Sequence, residues 1–394
     1  MEFSFLVLAQ ILTAFSGACP PVLAGTIANT IALDPVFIGP YVGAYFGIAA
    51  LSSVAAGYFV ERLGTWGVVQ MCVALAGLGL VLIASANLYA LASSSVLLGL
   101  ATGLLTPASS QILLTITSER STNLAFSIRQ AGTPVGYATA GLLFPTLSLI
   151  HGWQLAVIAF VPLYLGLTLA MLTLLPSTRN HVASRENSKH PLQATIGVMR
   201  NIFSTKYLCG YALLVISFSF MQTAMTTFSV VMLVKEFKFD TARAGYLFML
   251  IMITGGAGRI FWGWIADRVL PAFTTLITLG IIMSGAAVAL TVIPPATASV
   301  LIGIVGIVLG GTAMGWHGVV LAQIARIAGI ERAGYITGGI MFLALGSSFV
   351  APNLFSYLVI IFGDYSSGFG LFAIFVLLSC IAFRTASRPD AIGR

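Results

Sequence analysis

Apolar runs long enough to cross a bilayer, which takes about 20 residues, follow one another along the whole chain. They fall at 4–28, 38–60, 66–86, 91–114, 124–148 and 153–175, and again at 207–234, 243–266, 272–292, 299–324, 334–361 and 365–385. None alternates with a period of two, so the pattern predicts helices rather than barrel strands. In lipid, a helix satisfies its own backbone polar groups. The polar breaks are short with one exception, residues 176–206, where Ser, Asn, His and basic residues gather. The pattern therefore predicts an all-α polytopic membrane protein of twelve spans in two six-helix halves, 1–175 and 207–394, joined by a central loop at 176–206.

Composition sharpens this picture. The chain is 58% hydrophobic and 7% charged, against about 25% charged for soluble domains. Its net charge of +7 is set by topology and does not predict nucleic-acid binding. Of the 18 Lys and Arg residues, 13 flank the spans on one side. Lys235, Lys238 and Arg243 share a loop on the other side, and Arg129 and Arg259 lie inside spans. The positive-inside rule makes the richer side cytoplasmic, with both termini there. The short loops suit a bacterial inner membrane. Met1-Glu2 supplies no basic n-region, and the first apolar run is too long for a signal peptide. Cys19, Cys72, Cys209 and Cys380 lie in apolar spans without metal-ligand spacing, so reduced thiols and no metal are expected. No P-loop, catalytic triad or paired-carboxylate constellation is present, which argues against an enzyme, a cofactor or direct use of ATP.

The charges inside the spans carry the chemistry. Every Asp and Glu falls at or near a span end, whereas Arg129 and Arg259 lie within the fifth and eighth spans. An unpaired charge in hydrocarbon costs from about 2.5 to over 10 kcal/mol and usually marks a transport or ion site. Arg129 is about seven residues, roughly 10 Å, into its span. Arg259 and His317 lie at a similar depth from the same side. An arginine fork binds a carboxylate through two charge-assisted hydrogen bonds, so the missing partner is read as an anionic substrate. The alternative is that both arginines snorkel to the surface and pair there with Glu119, Glu331 or a helix C-terminus. His317 is the embedded group whose ordinary titration range is near neutrality. Gln10, Gln130, Gln222 and Asn353 either bind substrate or tie helices together, with Gln130 singled out because it adjoins Arg129. Tyr45 and Trp316 are aromatic candidates for the site or for packing. Gly132, Gly136 and Ala140 form a small-residue stripe that lets a neighbouring helix approach.

The halves also repeat a loop. Gly57-Tyr58-Phe59-Val60-Glu61-Arg62-Leu63-Gly64 follows the second span, and Gly263-Trp264-Ile265-Ala266-Asp267-Arg268-Val269-Leu270 follows the eighth. With the six-plus-six plan, this loop resembles the signature of the major facilitator superfamily (MFS), Gly-x-x-x-Asp-Arg-x-Gly, although both copies lack its trailing basic pair. The resemblance implies the MFS fold, a secondary transporter working by alternating access, and a substrate held between the halves. It also implies that Gly57, Glu61, Arg62, Asp267 and Arg268 gate the cytoplasmic side. Gly258-Arg259-Ile260-Phe261-Trp262-Gly263 is similar to the substrate arginine of monocarboxylate and oxalate/formate carriers. Uptake or exchange of a small mono- or dicarboxylate is the leading expectation, by a monomer in the lipid bilayer. With no embedded carboxylate to carry a proton, coupling falls to His317, to the substrate's own proton or to a counter-anion. An exporter of drugs or of neutral or anionic metabolites is the alternative, and a receptor on the same fold a remoter one.

Overall fold

The computed structural model describes residues 1–116, 122–175, 200, 202–204, 206–294 and 299–386. Most of the 176–206 loop therefore lies outside the described residues, as do Glu119 and the side chain of Glu331. All regular structure among the described residues is helical. Among the described residues, eleven stretches are long and apolar enough to cross a membrane, and the longest, Pro35–Ala84, holds two of the predicted spans. The molecule divides into two compact units. The first comprises Met1–Ser184, Leu233–Lys235 and Phe239–Met249, and the second Arg185–Met232, Glu236–Lys238 and Leu250–Arg394.

The first unit opens with α1 (Glu2–Val22) and α2 (Ala24–Ile31). The predicted 4–28 span breaks at Leu23, just after Pro20 and Pro21, whose rings remove two backbone donors from the helix. Next comes α3 (Ile38–Ala84), turned at Gly64 with φ 75° and ψ 162°. Only glycine adopts that conformation without strain, so the motif's last glycine makes the sharp corner between the second and third spans. The unit continues with α4 (Leu88–Ile116), α5 (Thr122–His151), α6 (Trp153–Ile158) and α7 (Val161–Leu174). The sixth span is split between α6 and α7, where Pro162 starts the new helix.

The second unit holds most of α8 (Lys206–Lys235) and of α9 (Thr241–Arg268), then α10 (Ala272–Val292), α11 (Ser299–Ala313), α12 (Trp316–Phe362) and α13 (Tyr365–Ala386). Here the repeated loop has Leu270 where the first copy has Gly64, and the corner is made by Pro271, which precedes α10. The tenth span is built from α11 and the start of α12, with a turn at Met314–Gly315. Lipid tails are as apolar as leucine, so close packing and polar ties hold such helices together. In the first unit, Tyr164 donates from α7 to the Leu12 carbonyl at 2.7 Å and shares a 2.6 Å bond with Ser16. In the second, Ser217 meets Ser379 at 2.6 Å and Ser284 donates to the Ala373 carbonyl at 3.1 Å.

Candidate anion site

In the first unit, the helix crossing that matters most brings α5 onto α1. A Cβ added at Gly136 would run into the Ile11 carbonyl and would lie 2.8 Å from Ala14 Cβ and 2.9 Å from Phe15 N. One turn earlier, Gly132 leaves room for the Gln10 side chain, which an added Cβ would approach to 3.1 Å. The small-residue stripe read from the sequence thus admits the backbone of α1. This contact carries Gln10 to Arg129, 119 positions away in the chain, and the guanidinium donates from Nη1 to the Gln10 amide oxygen at 2.8 Å. The same amide donates from Nε2 to the Thr133 hydroxyl at 3.0 Å.

Arg129 is 1% exposed. Among the described residues its hydrogen bond is the one to Gln10, and no carboxylate pairs with it. Its Nε is buried without a hydrogen-bond partner. The group does not snorkel into the open; it is enclosed, charged, and held by a neutral amide. Such an arrangement suits an anion as the missing partner, since a buried charge needs both a counter-charge and full hydrogen bonding.

A second polar cluster stands in the other unit. Glycines 255 and 258 of α9 pack against Met314 and Gly311 of the tenth span, and Trp262 Nε1 donates to the Gly311 carbonyl at 3.1 Å. Past the turn, Trp316 is fully buried and donates from Nε1 to the Gln222 amide oxygen at 3.1 Å. Its ring stacks on the His317 imidazole with centroids 3.7 Å apart and planes 22° off parallel. The half-buried Arg259 acts electrostatically on that imidazole. The structure thus brings Gln222, Trp316 and His317 into contact, within reach of the Arg259 charge.

Other residues singled out from the sequence lie elsewhere. Gln130 is exposed, although it neighbours Arg129 in the chain. The Tyr45 hydroxyl bonds to Thr102 at 2.7 Å under Gly17, which is seven residues, roughly 10 Å, along α1 from Gln10. Asn353 donates its amide to the Phe349 carbonyl of its own helix at 2.8 Å. Glu61, Arg62, Asp267 and Arg268 are exposed, with the Arg62 guanidinium 4.7 Å over the Tyr58 ring, and Gly57 has open space around its Cα. Thr133 is not among the residues singled out from the sequence. Its spacing of four from Arg129, which puts both on one helix face, is the signal that points to it.

Residues 6–352 match the family model described as Major Facilitator Superfamily. The chain belongs to the major facilitator superfamily. It is a transporter and an integral membrane protein, not an enzyme. Solved MFS structures share its fold at low identity. A bacterial homologue of the human lysosomal transporter Spinster, inward-facing and occupied, has 14% identity, a TM-score of 0.78 and coverage of 98% of this chain and 96% of that one. A point mutant of the nucleoside transporter NupG has 14% identity, a TM-score of 0.80 and coverage of 98% and 99%. A gallate transporter from Pseudomonas putida is 25% identical over 298 residues, 68% of this chain and 66% of that protein. The match thus spans just under two-thirds of that relative's length.

Proposed function

We propose that this MFS transporter carries a small organic anion, a mono- or dicarboxylate, by alternating access, with Arg129 as the principal ligand of its carboxylate. The observation that carries this reading is the enclosed guanidinium of Arg129, bonded to a neutral amide and, among the described residues, to no acid. Arg259, whose charge acts on the His317 imidazole, supplies the second half's cation, so that each half contributes one arginine to the anion. His317, the substrate's own proton or a counter-anion couples the movement. Glu61, Arg62, Asp267 and Arg268 gate the cytoplasmic side. The protein works as a monomer in a bacterial inner membrane with both termini in the cytoplasm. The gallate transporter of Pseudomonas putida supports an anionic substrate, gallate being a carboxylate.

The test is a thermal-shift screen of purified protein against small carboxylates, neutral metabolites and lipophilic drugs, with Arg129→Ala and Arg259→Ala alongside. A ligand present at 100 times its Kd stabilises the folded state by about 2.7 kcal/mol. A carboxylate is expected to raise the melting temperature of the wild type and to leave both variants unmoved. If carboxylates do nothing while drugs stabilise all three proteins alike, the arginines are structural and an exporter is the better reading.

A further inference from the structure

We infer that Gln10 is a positioning residue for the anion. By holding Nη1 of Arg129 with a neutral amide, it leaves the side edge of the guanidinium, Nε with Nη2, to receive the carboxylate. The inference rests on the proposed role of Arg129 and deepens it. A guanidinium carries five N–H donors in a fixed plane. One of those on Nη1 is committed to Gln10 Oε1 at 2.8 Å, which leaves the Nε–Nη2 edge clear of that bond. Nε is buried with no partner, and an unmet donor in such a place has a free-energy cost that an accepting ligand removes. A carboxylate approaching along the Nε–Nη2 edge meets two parallel N–H groups, the bidentate arrangement it prefers.

Gln10 is fixed in orientation as well as in place. Its Nε2 donates to Thr133 Oγ1 at 3.0 Å, and its Cβ and Cγ lie against Gly132. Rotating the amide by 180° would aim its NH2 group at the cation and lose the bond to Arg129, so the arginine selects the amide's orientation. The chain Thr133–Gln10–Arg129 therefore sets the guanidinium plane, and the neutrality of residue 10 keeps its positive charge available. A glutamate there would have the same shape and reach but would satisfy the arginine internally.

Gln10→Glu separates these two properties. The probe is benzoate, titrated by thermal shift in detergent and followed as labelled uptake into proteoliposomes. Wild type, Gln10→Glu, Thr133→Val and Arg129→Ala are compared, with acetate and succinate run on the wild type. Gln10→Glu is expected to melt at or above the wild-type temperature, because the buried cation gains a counter-charge, while its half-saturating benzoate rises by at least about tenfold. Thr133→Val, which releases the amide without altering charge, is expected to raise the half-saturating concentration several-fold and to lower the melting temperature by a few degrees at most, since one buried donor loses its partner. If Gln10→Glu binds benzoate within about twofold of wild type while Arg129→Ala has lost it, Gln10 is only a helix tie and this inference falls alone. If the wild type responds to none of the three carboxylates, the proposed function falls and takes the inference with it.

Discussion

Gly136→Ala tests whether the α1–α5 crossing builds the site. The added methyl would sit 2.8 Å from Ala14 Cβ and 2.9 Å from Phe15 N, besides meeting the Ile11 carbonyl. Ordinary contact begins near 3.4 Å, so α1 must move away by roughly 0.6 Å or more. Overpacking of this kind costs about 1–3 kcal/mol. Alanine also favours the helix over glycine by up to about 1 kcal/mol, which offsets part of the loss and would blur a single measurement. Gly166→Ala on α7 carries the same propensity gain with nothing within 4 Å of its new methyl. The difference between the two variants therefore isolates packing. At roughly 2–4 °C per kcal/mol, Gly136→Ala should melt about 2–12 °C below Gly166→Ala. Gly136 is seven residues from Arg129, two turns along nearly the same face, and Ile11 adjoins Gln10. The same displacement added to the 2.8 Å bond between Gln10 and Arg129 takes it towards the limit of a useful hydrogen bond, so benzoate affinity should fall several-fold. Equal melting and equal benzoate response in the two variants would refute the argument that this crossing sets the arginine's geometry.

The double substitution Arg129→Met with Gln10→Leu removes both partners of the buried bond and replaces them with apolar groups of similar length. Such exchanges are neutral or stabilising, so the variant should melt at or above the wild-type temperature while losing its carboxylate response. A melting temperature well below wild type would show that the arginine is there for stability. Glu236 accepts hydrogen bonds from the backbone of Tyr365 and Ser366 and from the Ser366 hydroxyl, capping the first turn of α13. Glu236→Ala should cost about 0.5–2 kcal/mol and speed amide hydrogen exchange at residues 365 and 366, read by mass spectrometry; unchanged exchange would dismiss the cap. Tyr164→Phe leaves the Leu12 carbonyl and the Ser16 hydroxyl without their α7 partner and should lower stability by about 1–3 kcal/mol, measured as the loss of melting temperature in detergent.

What the sequence makes legible here follows from the range of the interactions involved. Span positions come from the local cost of exposing polar groups to lipid, so a run of apolar residues announces a helix wherever it packs. The corner at Gly64 is equally local, since its positive φ needs only glycine and the motif places one there. Hydropathy misses the breaks within spans at Leu23 and at Ala159–Phe160 because it is blind to backbone hydrogen bonding, although Pro20, Pro21 and Pro162 carry the signal. The two arginines stand out because their charge conflicts with their surroundings. What a charge does next depends on partners brought by tertiary contact. Gln10 and Arg129 are 119 positions apart, and Gln222 and Trp316 are 94 apart. No periodicity links them, so Gln10 reads as one polar residue among several that either bind substrate or tie helices. In the fold it does tie helices, yet the group it ties is the buried cation. The glycines are the bridge between the two levels. Gly132 and Gly136 are visible as a stripe, and the stripe lets one backbone come close enough for a neutral amide to reach a guanidinium that, among the described residues, has no acid partner.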